Sequence, residues 1–294
     1  MVRPDYYDSF RCIAGDCRHN CCIGWEIDID DESLEKYKAI DGDLGAELQK
    51  NISLEPCAHF VLQRDERCPF LNHQNLCRLI LQGGDEMLCQ ICRDHPRFYN
   101  QPYGVCEAGI GISCEAAARQ ILLNPHPVSL LSDEHLPQNE FFAAREKVFA
   151  LLQKRDLPLS RRIEEILNMV GAADPIIWGD WLKIYRCLER LDKGWTTLLD
   201  SAKEINGELP SNLEIANEQL IHYFIYRHLS GGTEDFRFAE RLQFAILSCY
   251  VINALTPAKS IEDLIETARM YSSEIEYSDE NIEEILMKLE ELNG

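Results

Sequence analysis

Eleven of the thirteen cysteines fall before residue 115, and their spacing is the part of this chain that could do chemistry. Cys12-x4-Cys17-x3-Cys21-Cys22 places four thiols within eleven residues, and Cys68-x8-Cys77-x11-Cys89-x2-Cys92 adds four more. Two or three intervening residues let a turn bring both sulfurs of a pair to one side, so such spacing points to thiolate ligation of metal. Zinc needs four closed thiolate or imidazole ligands, whereas iron–sulfur clusters accept irregular spacing and mostly sulfur. Adjacent side chains such as Cys21 and Cys22 cannot easily reach one small ion, which favours an iron–sulfur cluster and leaves zinc as the alternative. The radical-type pattern Cys-x3-Cys-x2-Cys is absent, because Gly24 stands at the third position after Cys17 and Cys21.

Other residues carry weaker signals. Arg93 and Arg97, following Cys92, could hold an anionic cofactor through paired donors, or simply pair with carboxylates such as Asp94. Trp25 could stack on a cation or an adenine, and Glu26, Asp28 and Asp30 alternate after it as the wet face of a strand would. Cys57 and Cys106 lack close partners, so packing and ligation are equally open. Cys187 and Cys249 lie in helical patterns and read as small buried apolar residues. His19 stands beside Cys17, while His59, His73, His126, His135, His222 and His228 show no partner spacing. No catalytic base can be named.

Composition sets the frame for these thiols. With 46% hydrophobic and 27% charged residues in 294, the chain is that of a folded globular protein. No run approaches the roughly eighteen apolar residues of a membrane span, and Met1-Val2-Arg3-Pro4-Asp5 has no apolar signal stretch. A cytoplasmic setting is therefore expected, where cysteines serve as ligands or catalytic thiols rather than as disulfides. A formal charge of −21 repels nucleic acid and suits a lysine-bearing protein partner.

The elements that must position the thiols are short. A hairpin is expected between residues 59–62 and 68–71, a helix capped by Asp31 and running through Lys38, and short helices over 76–81 and 86–91. Cys114 stands at the start of a helix running to Leu123. Prolines around residue 125 then predict a boundary, with a Cys-rich metal-organised domain over 1–123 and an α-helical domain over 124–294. Apolar residues at helical spacing predict helices over 140–155, 160–170, 178–192, 212–229, 235–255, 260–270 and 279–292. The expected fold is mainly α, with a small hairpin in the first domain.

The motifs Pro4-Asp5-Tyr6-Tyr7, Phe10-Arg11-Cys12, Cys21-Cys22-Ile23-Gly24-Trp25-Glu26-Ile27-Asp28-Ile29-Asp30, Cys68-Pro69-Phe70-Leu71, Leu76-Cys77, Leu88-Cys89-x2-Cys92-Arg93-x2-Pro96-Arg97 and Ser113-Cys114-x4-Arg119 occur in one order. Together they resemble the flagellin lysine N-methylase family, within a wider group of Cys-rich zinc- or iron-chelating proteins. Tyr223-Phe224-Ile225-Tyr226-Arg227 and residues 271–277 extend the resemblance in weaker form. It implies methyl transfer from S-adenosylmethionine to lysines of flagellin or another lysine-bearing protein, with a four-iron four-sulfur cluster. The cysteines it marks are Cys12, Cys17, Cys21, Cys22, Cys68, Cys77, Cys89, Cys92 and Cys114, more than the four a single cubane needs. Trp25, Arg93 and Arg97 are then the candidates for cofactor binding. No Gly-rich fingerprint follows a strand, which argues against an ordinary nucleotide-fold methyltransferase. A non-catalytic metal-binding interaction module and a redox sensor or metal carrier remain the rival functions.

Overall fold

Short-range polar caps and a few aromatic contacts build the first unit, Arg11–Arg97, one of two into which the contacts divide the chain. The computed structural model describes residues 1–133, 135–178 and 180–294. Helix α1 (Asp31–Lys38) starts because the Asp30 carboxylate accepts from Ser33 N at 2.9 Å, with Asp31 and Glu32 in its first turn and Lys36 and Lys38 in its last. The cap is thus Asp30, not Asp31, since the capping side chain must lie outside the first helical turn. Helix α2 (Gly42–Asn51) leads into β2 (Ile52–Ser53), which pairs antiparallel with β3 (His59–Phe60). The expected hairpin is therefore displaced: β3 takes its partner from the preceding segment, and 64–67 forms a tight turn whose Asp65 and Glu66 have positive φ.

Helices α3 (Arg78–Gly83) and α4 (Gln90–Asp94) complete this unit. Its apolar centre is small and aromatic, with Phe60 lying 5.1 Å from Phe70 and 5.9 Å from Tyr37 between ring centroids. Cys68 and Cys89 are buried within that centre, and Cys22, Cys77 and Cys92 pack against it.

The second unit joins Met1–Phe10 to Phe98–Gly294. The contacts thus divide the chain elsewhere than near residue 124, because the N-terminal strand is an integral part of a sheet in the helical unit. That sheet has the order β4–β5–β1–β6, with β1 (Val2–Pro4), β4 (Arg97–Asn100), β5 (Glu107–Ile110) and β6 (Leu130–Ser132). Strand β1 runs parallel to β5 and antiparallel to β6. Gly109 in β5 is required, since a β-carbon there would stand 2.2 Å from the Phe98 ring.

Helices follow: α5 (Glu115–Leu122), α6 (Glu140–Leu152), α7 (Leu159–Val170), α8 (Trp181–Cys187), α9 (Lys193–Ser201), α10 (Glu214–His228), α11 (Gly232–Asp235), α12 (Phe238–Leu255), α13 (Ile261–Tyr271) and α14 (Asp279–Asn293). The molecule is mainly α, at 58% helix and 8% strand. Helices α10 and α12 are buried on nearly every face and pack on each other, which places them at the centre of the unit. The helix expected over 178–192 is shorter, and Gly179 in that span lies outside the described residues. No helix among the described residues is long and apolar enough to cross a membrane.

Candidate metal centre

Backbone pairing brings the thiols of the first unit together. Cys68 N donates to Cys22 O at 2.8 Å, and a bridge between Leu71 and Cys77 folds the third thiol-bearing segment back on the second. Helix α4 then carries Cys92 just beyond its N-cap Cys89, three residues apart and so on one face. The Asp30 carboxylate ties this helix to α1, accepting from Gln90 N at 2.8 Å with one oxygen and from Ser33 N with the other. Burial would raise that carboxyl, but the two backbone donors bring it down to about 2.

The thiols perturb one another. Cys21 falls to about 7 because Cys22 donates a hydrogen bond to it. Cys22 is driven far up by that same bond, by burial, and by the nearby Cys21, Cys68 and Cys77 sulfurs. Cys92 donates to Cys89 and is raised likewise, with Cys89, Cys22 and Cys68 adding charge repulsion. Burial lifts Cys68 to about 11, with Cys77 and Cys89 contributing. Six thiols therefore share one electrostatic neighbourhood, and Tyr37, whose hydroxyl donates to Met87 O at 2.8 Å, borders it beside Cys89 and Cys92. Among the described residues, no three His, Cys, Asp or Glu side chains close on a single point. The set is gathered by the backbone, and its soft sulfurs and mutual repulsion are what a bound cation would relieve.

The remaining sequence candidates are not among the side chains of this core. Cys12 is exposed, and its Sγ accepts from Ala14 N at 3.3 Å. Cys17 donates to His19 O at 3.3 Å on the same loop. Cys114 is half-buried at the N-cap of α5 in the second unit. Cys57 and Cys106 are exposed, so neither packs in a core. Cys249 is buried, but Cys187 is exposed, against expectation, because the apolar stripe of α8 runs through Trp181, Leu182 and Tyr185 and leaves residue 187 outside. Arg93 is exposed and donates to Leu88 O at 3.1 Å, and it lines a cleft of about 280 Å³ with Asp30, Glu32, Gln90 and Asp94. Trp25 and Arg97 are half-buried.

The second unit holds a buried polar network that the sequence did not announce. Glu276, fully buried, ends a π turn over Ser272–Glu276 and accepts from the Tyr223 hydroxyl at 3.0 Å and from His228 Nε2 at 2.5 Å. The Arg227 guanidinium lies 3.2 Å from the same carboxylate, between the rings of Phe98 and Tyr277 at 4.9 and 5.2 Å. Burial would raise Glu276, but Arg227 and His228 hold it below the ordinary range. Burial keeps His228 neutral in spite of that carboxylate, so its Nε2 carries the proton it donates. Tyr223 also accepts from Ile112 N at 3.2 Å, and Ser113 Oγ donates to the Tyr277 hydroxyl at 3.1 Å. Three motif segments, around residues 113, 223–227 and 271–277, thus meet at one network. His228 does have a partner, separated by 48 residues, a distance at which spacing is silent.

Residues 160–294 match the FliB lysine N-methylase C-terminal domain family, and the Tyr223–Glu276 network lies inside that stretch. Two curated relatives, each named lysine-N-methylase, come from Salmonella typhimurium and Salmonella choleraesuis. Each is 24% identical over 172 residues, which cover 51% of this chain and 40% of the relative. The flagellar biosynthetic protein FliU of Salmonella muenchen is 26% identical over 137 residues, covering 44% of this chain and 81% of that protein. The match therefore spans less than half the length of the two lysine-N-methylases. No solved structure matches.

Proposed function

We propose that this chain, a relative of the flagellin lysine N-methylase family, transfers a methyl group from S-adenosylmethionine to lysine side chains of a flagellin-type protein, with a four-iron four-sulfur cluster bound in the cysteine unit. The observation that carries the reading is the gathering of Cys22, Cys68, Cys77, Cys89 and Cys92 about one small core in a chain that also matches the methylase C-terminal domain. The donor set suits such a cluster in its chemistry: the sulfurs are soft, they exceed the four that one cubane needs, and Cys68 and Cys89 are buried. Because no three of these side chains converge among the described residues, holding the cluster would require the thiols to turn toward it. When bound, the cluster supplies a Lewis-acidic iron suited to the amino and carboxyl groups of S-adenosylmethionine.

The chain's own residues have the remaining tasks. Arg93, Trp25 and Arg97, all of the cysteine unit, are assigned to the parts of the cofactor that the iron leaves free. A lysine must lose its proton before it can attack a sulfonium methyl, so the acceptor site has to desolvate the ammonium. The proton leaves to solvent, the new N–C bond forms as the C–S bond breaks, and S-adenosylhomocysteine departs. A reducing cytoplasmic setting, which keeps the thiols free, belongs to the same proposal.

The test is chemical analysis of anaerobically purified protein for iron and sulfide, followed by incubation with S-adenosylmethionine and flagellin. Iron with sulfide and mass gains of one methyl per step on lysines are expected. Stoichiometric zinc with no cofactor consumed would replace the enzyme by a metal-held interaction module. A redox reading has its own support in the hydrogen-bonded pairs Cys21–Cys22 and Cys89–Cys92. Reversible thiol oxidation without methyl transfer would favour it.

A further inference from the structure

The helical unit contains an open cleft of about 700 Å³ where the turn after β1 meets the end of α5. Asp5 and Tyr6 of the β1 turn line it together with Arg119 and Gln120 of α5, Leu123 and His126. Asp5 and Tyr6 belong to one sequence motif and Arg119 to another, and the fold brings them to one surface although more than a hundred residues separate them.

The local bonding sets what charge the cleft can take. The Arg119 guanidinium is already committed to Glu262 on α13 through two hydrogen bonds, so it offers little to an anion. Asp5 is fixed in place by Ser129, which accepts from Asp5 N at 2.9 Å and donates its own N–H to Oδ2 at 3.1 Å. Its Oδ1 has no partner among the described residues. Gln120 donates to Tyr6 O at 2.6 Å and to Ser9 Oγ at 2.9 Å, which holds the Tyr6 segment against α5. The result is a rigid carboxylate with one free oxygen beside an exposed apolar side chain, Leu123, at 46% exposure. The ligand that matches this pair has a cationic tip and an apolar stem, as a lysine side chain does.

Access decides between a small molecule and a protein. Asp5, Ser9, Leu123 and His126 are all exposed, whereas a cofactor-sized ligand is ordinarily enclosed over most of its surface. A side chain standing out from another protein needs such an open approach. We infer that this cleft is the docking site for a lysine-bearing segment of a protein substrate, with Asp5 anchoring the ammonium and Leu123 packing on the aliphatic stem. The inference rests on the methyl-transfer reading: the ammonium that Asp5 holds stays charged, so the lysine bound here docks the segment on the helical unit and is not the one that loses its proton and is methylated.

The test uses the full chain with p-benzoylphenylalanine placed at Leu123, irradiated with flagellin, and the same probe placed at Leu191, which is 76% exposed in the same unit, as the comparison. Adducts from position 123 on lysine-bearing peptides, and few from position 191, are expected. Adding Asp5→Asn, which keeps an oxygen for Ser129 but removes the charge, should cut the adduct yield roughly two- to fivefold, the loss of about one exposed ion pair. Equal yields at the two positions would overturn the assignment. So would an Asp5→Asn yield that does not change, or suppression of the adduct by S-adenosylmethionine alone, which would make the cleft a cofactor site. Methyl transfer without capture at Leu123 rejects the cleft and leaves the enzyme reading intact. Capture that depends on Asp5, without methyl transfer, keeps the cleft and rejects the enzyme.

Discussion

Glu276 stands 2.5 Å from His228 Nε2, and both are buried, at the junction of the π turn and the end of α10. A π turn costs regular hydrogen bonding and is retained where a side chain must be aimed, here the carboxylate that neutralises Arg227.

Glu276→Gln should therefore destabilise the helical unit by about 3–5 kcal/mol, because it leaves the Arg227 guanidinium buried without a counter-charge. Urea unfolding followed by circular dichroism measures it. Adding Arg227→Met should restore part of the loss, since the two groups share one interaction and their effects cannot add. Strict additivity would show that the ion pair contributes nothing.

His222 predicts a pH dependence of stability. It is buried against Phe149, with ring centroids 4.2 Å apart, and neither ring nitrogen has a partner among the described residues. Burial, then the Arg145 charge, lowers it to about 3. The unfolded chain takes up this proton below about pH 6.5 while the folded one does not, so stability is complete above that pH and is lost as pH falls toward 3. The slope is at most about 1.4 kcal/mol per pH unit from this residue. His222→Phe should flatten the acid limb of a stability–pH curve, and an unchanged limb would place the acid sensitivity elsewhere.

Gly109→Ala should disturb the network from beneath. The new methyl would lie 2.2 Å from Cζ of Phe98, whose ring supports Arg227, so strand or ring must move. The cost expected for such overpacking is about 1–3 kcal/mol by thermal or denaturant unfolding. Adding Phe98→Leu should recover some of it, and a neutral Gly109→Ala would mean that β4 and β5 separate freely.

Much of the helical unit was legible because α7, α13 and α14 keep apolar residues at helical period, while α10 and α12, buried on nearly every face, stand out as long apolar segments set off by Gly231-Gly232 and Thr256-Pro257. The sheet was not, since its strands are three or four residues long and β1 pairs with β5 across more than a hundred residues. Cys187 was misread although the signal existed: its neighbours Trp181, Leu182, Tyr185 and Leu188 define a stripe that excludes it. In the cysteine unit, spacing gave the candidates, but only the pairing of Cys68 with Cys22 and of Cys77 with Leu71 separates the core thiols from Cys12 and Cys17. Such pairing depends on chain reversals through residues 63–67 and 72–76, where turn chemistry leaves several registers open.

That separation yields the last prediction. If the core thiols hold the metal, Cys22→Ser and Cys89→Ser should each lower iron and sulfide content severalfold in anaerobic protein, because serine is a poor ligand for iron at neutral pH. Cys187→Ser should leave the content unchanged, being exposed and in the other unit. Chelation of the wild type should unfold the cysteine unit selectively: its apolar centre is small, so the binding energy of metal is a large share of its stability. The helical unit has its own large core and should keep its helical circular dichroism through the same treatment. Hydrogen exchange that rises over residues 11–97 and stays protected in α10 and α12 is the expected pattern. Uniform protection after complete removal of metal would show that the thiols fold without it and that their gathering serves redox chemistry instead.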